Sequence, residues 1–270
     1  MKNEEGEMSF LEHLEVFRWH LLRSVVAVII MGILAFLFKS FIFDRILLAP
    51  HEPDFWTNRV ICELGDLLKK PALCINQHPF RLVSPELGAQ FSIHVTISIF
   101  AGLILAAPYV IYEFWSFVAP ALYSKERKYA STAIIVCSML FFTGVLFGFY
   151  LIVPLSIDFL GTYSVSKQVE NYISLMSYIS TITSIMLATG VTFELPIIVY
   201  FLSKLGIITP KFLISYRRHA IVVILIIAAI ITPPDVFSQT LVAIPLLLLY
   251  EISIVVAKVI YKKREQELAG

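Results

Sequence analysis

The sequence predicts an all-α membrane protein with six transmembrane helices and both termini on the cytoplasmic side. Three observations carry that prediction. Mean hydropathy is +0.82, and 58% of the 270 residues are hydrophobic. Several apolar runs exceed 15 residues, close to the length of helix that crosses a hydrocarbon core. Lys and Arg gather in alternate connections, which orients the spans. No soluble domain of any size fits between the runs, so residues 1–270 read as a single transmembrane domain. The net charge of +1 offers no basic balance for nucleic acid.

The N-terminus is acidic (Glu4, Glu5, Glu7) and lacks both a basic leader and a small-residue cleavage site, so no cleaved signal peptide is expected. Ser9 and Glu12 make a capping box. Leu11, Leu14 and Arg18 then follow helical spacing, so an amphipathic helix feeds into span one, about 21–38. Arg23 lies near its start, where a long side chain can reach the interface. Residues 39–90 form the one long connection, an outer loop. Within it Val60, Ile61, Leu64, Leu67 and Leu68 share a face over 59–70, and Asp66 precedes Lys70 at a favourable i,i+4 spacing. A short helix on the membrane surface is expected there.

Span two, about 91–118, ends in an aromatic belt of Tyr112, Phe114, Trp115 and Phe117. Span three, about 129–153, contains Gly144 and Gly148 at the four-residue spacing that lets helices approach closely. Span four, about 172–202, reads as one long helix with Glu194 inside it and Pro196 two residues later. Thr209-Pro210 signals another helix start. The last two spans, about 219–232 and 236–257, are short. Only 12 apolar residues separate His219 from Thr232, roughly 18 Å of helix against a core of ~30 Å. The basic residues Lys125, Arg127, Lys128, Lys204, Lys211, Arg217, Arg218, Lys262, Lys263 and Arg264 fall in the second and fourth loops and the C-terminal tail, whereas loops three and five carry only Lys167. That pattern places both termini inside.

An acid at membrane depth normally faces a protein interior or a wet cavity. Glu194 is therefore either a functional polar point or a buried, hydrogen-bonded acid. Glu113 and Glu251, near span ends, are expected at the interface, and His94 as a hydrogen-bonded core residue. His13 and His20 lie seven apart on one face without a third donor, so no metal site is expected. Cys62 and Cys74, twelve residues apart on the oxidising side, could close a small loop, and Cys137 within span three is expected to be inert. Glu126 stands among Lys125, Arg127 and Lys128, which on charge alone is an ordinary solvated cluster. No catalytic motif, phosphate-cradling loop or internal repeat is present, so neither enzymatic activity nor a cofactor is expected.

The stretch Ala106-Ala-Pro-Tyr-Val-Ile-Tyr-Glu-Phe-Trp-Ser-Phe-Val-Ala-Pro-Ala-Leu-Tyr-Ser-Lys-Glu-Arg127 resembles the signature of the TatC family, the multispanning subunit of the twin-arginine protein translocase. So do Phe193-Glu-Leu-Pro196, Thr232-Pro-Pro-Asp-Val-Phe-Ser-Gln239, and the segment from Ser9 to Leu21. The resemblance implies a core receptor subunit in the bacterial inner (plasma) membrane that binds the twin-arginine signal peptides of folded proteins. Its spans would form a concave, cupped wall with Glu194 facing the hollow. It would self-associate, assemble with single-span TatA/TatB-type subunits and depend on the proton-motive force. Glu126 takes the family position that contacts the arginine pair, and guanidinium forks bind carboxylates bidentately. The family's N-terminal pattern carries a second acid where this chain has Val16, while His13, Leu14 and Arg18 match. Glu12 or Glu15 could substitute. Thr232, Asp235 and Gln239 match the family hairpin where the partners dock. The alternative is an ion- or proton-coupled solute carrier using Glu194.

Overall fold

The computed structural model describes residues 10–70, 74–77, 80–118, 130–166, 168, 171–231 and 236–269. In chain order these form α1 (Phe10–Leu37), a π-helical segment (Phe41–Leu47), a 3-10 turn (Ala49–His51), α2 (Trp56–Leu67), β1 (Leu82–Val83) and α3 (Ala89–Val118). There follow α4 (Ala130–Phe147), a second π-helical segment (Gly148–Ile152), α5 (Val153–Thr162), β2 (Ile173–Ser174), α6 (Leu175–Thr192), α7 (Leu195–Lys204), α8 (Pro210–Ser215), α9 (Arg217–Ile231) and α10 (Val236–Ala269). The two strands pair in parallel over two residues each. The molecule is otherwise all-α.

Five stretches among the described residues are long and apolar enough to cross a membrane: Leu14–Leu37, Ala89–Phe117, Thr132–Thr162, Leu175–Lys204 and Val242–Lys262. Only 11% of the most apolar part of the first is buried. Helices that expose Leu, Ile and Val on most sides suit hydrocarbon, where every backbone group is bonded within the helix. α9 has 15 residues, about 22 Å at 1.5 Å per residue, and is short as expected. Its neighbour differs from expectation. α10 runs for 34 residues, because the charged tail expected to leave the helix near 257 is built of Lys, Arg, Glu, Gln, Leu and Ala, all good helix formers.

Two compact units are distinguished. The first holds α1, α3 from His94 onward, and the start of α4. Here α1 and α3 cross backbone to backbone: a Cβ on Gly102 would stand 2.6 Å from the Gly32 nitrogen and 2.7 Å from the Val28 carbonyl oxygen. Only a hydrogen at that position permits the approach. Higher up, the His94 ring stacks on Phe36 at 3.9 Å, and its Nε2 bonds the Phe36 carbonyl at 3.1 Å.

The second unit, from Lys39 to Ile93 and from Leu140 onward, holds the rest. α4 and the second π segment pack on α6 through small residues. A Cβ on Gly144 would meet the Thr189 carbonyl at 2.6 Å, and one on Gly148 would collide with the Thr189 hydroxyl. The four-residue glycine spacing thus makes the close contact it predicts. α7 lies along α10, with Val199, Leu213, Ile254 and Ala257 in one cluster and the Tyr250 hydroxyl donating to the Leu213 carbonyl at 2.8 Å.

The long connection is more ordered than its sequence suggests. α2 begins at Trp56, three residues before the expected start, and ends where Lys69 adopts a left-handed φ of 54°. Lys70 therefore lies beyond the helix, and the expected helical pair with Asp66 does not form. Cys62 and Cys74 are joined by a disulfide. Asn58 Nδ2 donates to the carbonyls of Pro50 and Glu52 at 3.0 and 2.8 Å. Asn76, also at positive φ, donates from Nδ2 to Asn58 Oδ1 and the Pro154 carbonyl at 3.3 and 3.1 Å. Its backbone N–H bonds Asp158 Oδ1 at 2.7 Å. Both asparagines are buried, and this network gives their amide groups the hydrogen-bond partners that burial requires.

Candidate functional site

The sequence points to the start of α1, the end of α3 and the connection after it. Glu126 lies outside the described residues. Glu12 lies in α1, its side chain outside those described, and Glu15 and Arg18 are exposed on the same helix. Residues three apart share a helix face, so Glu15 and Arg18 lie on one exposed side, and Val16 beside them is partly buried.

One turn further on, the structure places an acid that sequence reasoning assigned to the interface. Glu113 is 3% exposed, and its Oε2 lies 2.5 Å from His20 Nδ1. Burial of a carboxylate is costly unless it is paired, and both His20 and the Tyr109 side chain bond it. Phe117 stands edge-on to the His20 ring at 6.2 Å and touches Phe17 at 5.1 Å, while the Ser24 hydroxyl donates back to the His20 carbonyl at 2.9 Å. Glu113 lies seven residues after Ala106, on the same buried face of α3. Glu251, by contrast, is exposed and bonded to Arg217 Nη2 at 2.6 Å.

Glu194 does not sit inside an unbroken helix. α6 ends at Thr192, Phe193 and Glu194 form a turn, and α7 begins at Leu195. Pro196 supplies the reason: without an N–H and with a ring that clashes one turn back, it belongs in the first turn of a new helix. The Glu194 carbonyl accepts the N–H groups of Ile197 and Ile198, each at 3.1 Å. The side chain is half-buried with its Oε1 fully enclosed. Thr189 and Thr192 precede it, their hydroxyls bonded to the Ile185 and Ala188 carbonyls at 2.8 and 2.6 Å. A short polar stretch thus interrupts an apolar span.

Of the three hairpin residues, Thr232 and Asp235 lie outside the described residues. Gln239 Nε2 donates to the Leu225 carbonyl at 3.1 Å, tying the start of α10 to α9. The side-chain atoms of Cys62, Asp66 and Cys74 come within 4.8 Å of one another. Both sulfurs are consumed by the disulfide, which leaves no thiolate for a metal.

Long apolar helices, glycine-mediated crossings and acids enclosed between helices are those of a polytopic helical membrane protein. The sequence profile described as "Sec-independent protein translocase protein (TatC)" matches residues 12–245. The protein of that name from Blattabacterium sp. subsp. Periplaneta americana is 41% identical over 266 residues, which are 98% of this chain and 100% of the relative. The crystal structure of the twin arginine translocase receptor TatC superposes with a TM-score of 0.70 at 35% identity, covering 92% of this chain and 99% of the other. A second crystal structure, of the same receptor in DDM, gives 0.72 at 34% identity, covering 91% and 99%. The chain belongs to the TatC family. It is a protein-transport component of the twin-arginine translocation system and not an enzyme.

Proposed function

We propose that this protein is the receptor subunit of a twin-arginine translocase and binds the signal peptides of folded cargo. The observation that carries this is the match, over 92% of the chain, to a structure solved as a twin-arginine translocase receptor. In this reading six spans, the five long stretches and α9, cross the bacterial inner membrane with both termini cytoplasmic. Glu126 accepts the arginine pair bidentately, which also separates Arg from Lys. Glu12 and Glu15 on α1 supply the second acid that Val16 omits, and Arg18 orders them. Glu194 keeps a polar, hydrated point for the peptide beyond its arginines. Thr232, Asp235 and Gln239 mark the hairpin that docks single-span TatA/TatB-type subunits, and the assembled complex draws on the proton-motive force.

Crosslinking tests the receptor role. Full-length protein in membranes should crosslink to a photo-reactive twin-arginine peptide at α1 and at residues 119–129, and far more weakly to its twin-lysine counterpart. Equal labelling by both peptides would overturn it.

A further inference from the structure

π-Helix accounts for well under 1% of residues in proteins and gathers at functional sites, because the extra residue in each turn shifts the hydrogen-bond ladder. This chain has two such segments among the described residues, Phe41–Leu47 and Gly148–Ile152. Neither takes part in the receptor site above. Both line the same cavity, of about 570 Å³: Asp44, Arg45 and Ile46 from the first, Phe149 and Tyr150 from the second. The Thr57 hydroxyl, one residue past the lining residue Trp56, donates to the Tyr150 carbonyl. The Leu48 N–H reaches back five residues to the Phe43 carbonyl at 2.9 Å. The altered ladders are thus held by specific bonds.

The lining is chemically mixed. It includes Asp44, Glu52, Asp54 and a single Lys or Arg, Arg45. It also includes apolar Val145, Leu146 and Met186. Aromatic rings complete it: Phe55 stacks on Tyr150 at 5.6 Å and 11°, and Trp56 stands edge-on to Tyr150 at 6.1 Å and 87°. Charges need water and Val, Leu and Met suit hydrocarbon, while Trp and Tyr favour the boundary. The first π segment begins four residues after the apolar helix α1 ends at Leu37, where a chain leaving the bilayer would meet that boundary. The volume falls within the range of small-ligand sites.

We propose that this cavity binds a phospholipid with a primary-amine headgroup, of the phosphatidylethanolamine class. The Arg45 guanidinium takes the phosphate, the ammonium donates among Asp44, Glu52 and Asp54, and the acyl chains leave over Val145, Leu146 and Met186. Three carboxylates against one guanidinium repel an anionic glycerol headgroup. A choline headgroup has no N–H to give them. The site is independent of signal-peptide recognition, so either can fail without the other.

Native mass spectrometry of the full chain in detergent tests this, titrating phosphatidylethanolamine, phosphatidylglycerol and phosphatidylcholine of identical acyl chains. Phosphatidylethanolamine should bind about tenfold more tightly than the other two, the worth of one charge-assisted hydrogen bond. Arg45→Gln, which removes the partner of the phosphate common to all three lipids, should weaken the binding of each, and Glu52→Gln with Asp54→Asn should erase the preference. Leu146→Trp, which fills the apolar wall without changing charge, should weaken the tight site for every lipid. Glu86→Gln, exposed and outside the cavity, should change nothing. Equal binding of the three lipids by the unaltered protein, preference for phosphatidylglycerol, or a preference that survives Glu52→Gln with Asp54→Asn would overturn the proposal. The unaltered protein alone decides the first two outcomes, so a variant that fails to fold does not protect the idea.

Discussion

His20 Nδ1 and Glu113 Oε2 lie 2.5 Å apart and join two helices across 93 residues of sequence. The Tyr109 side chain bonds the same carboxylate. Removing one member of a fully buried, exclusive pair costs about 3–5 kcal/mol, whereas replacing both by apolar groups can be neutral; with Tyr109 still in place the loss here falls below that. His20→Leu should therefore lower the melting temperature of the detergent-solubilised protein clearly, and His20→Leu with Glu113→Leu should recover much of the loss. Fluorescence-detected size exclusion after heating reads both. A single variant that melts like the unaltered protein would show that the pair does not clamp α1 to α3.

The Gly32–Gly102 crossing makes a sharper steric prediction. A Cβ at position 102 meets backbone atoms at 2.6–2.7 Å, while one at Gly88 meets nothing within 4 Å. Gly102→Ala should destabilise by about 1–3 kcal/mol, the usual cost of overpacking, or fail to accumulate. Gly88→Ala should be silent. Comparable behaviour of the two in the same thermal assay would contradict the backbone contact.

At the signal-peptide site, Glu126→Ala should weaken peptide crosslinking, and Glu126→Arg should abolish it by setting like charge against the arginine pair. Protein level should hold, since substitutions within a polar, charge-rich segment cost little. Adding Glu12→Gln and Glu15→Gln to Glu126→Ala should reduce crosslinking further. If the added changes are silent, α1 does not supply the second acid.

Glu194 separates the receptor from a proton-coupled carrier. A polar point in a binding groove needs only hydrogen-bonding capacity, so Glu194→Gln should retain export of a folded twin-arginine reporter, and Glu194→Leu should lose it. An amide cannot cycle between charged and neutral forms, so a coupling acid would fail in both. Complete loss with Gln at normal abundance would revive the carrier.

The Cys62–Cys74 disulfide closes a twelve-residue separation, for which chain-entropy estimates give about 3 kcal/mol. Both thiols should resist alkylation in intact cells until a reductant is added. Cys62→Ser with Cys74→Ser should lower the melting temperature. Immediate labelling of both cysteines in untreated cells would show them free.

Much of this molecule is written in local sequence. Apolar runs such as Leu21–Leu37 determine spanning helices because length and hydropathy alone satisfy the bilayer. Gly144 and Gly148 announce a close helix contact by their spacing, and Thr209-Pro210 starts α8 with the Thr209 side chain accepting the Phe212 N–H at 3.2 Å. Pro196 is visible in the sequence, but the break it makes between α6 and α7 beside Glu194 is not the single long helix expected there. The arginine-binding role proposed for Glu126 rests on a motif, and no physics of the adjacent charges would have chosen it.

What only the tertiary structure decided depends on partners far apart in the chain. Glu113 reads as interfacial until His20 is brought against it. Asn58 and Asn76 look like loop polarity until the fold offers them the carbonyls of Pro50 and Pro154. The two π segments have no periodicity signal, since each depends on packing and on bonds such as that from Thr57 to the Tyr150 carbonyl. Periodicity records which side of a helix is apolar, a property of neighbouring residues. The pairing of buried polar groups depends on which atoms the fold brings within about 3 Å, and sequence spacing carries no record of that.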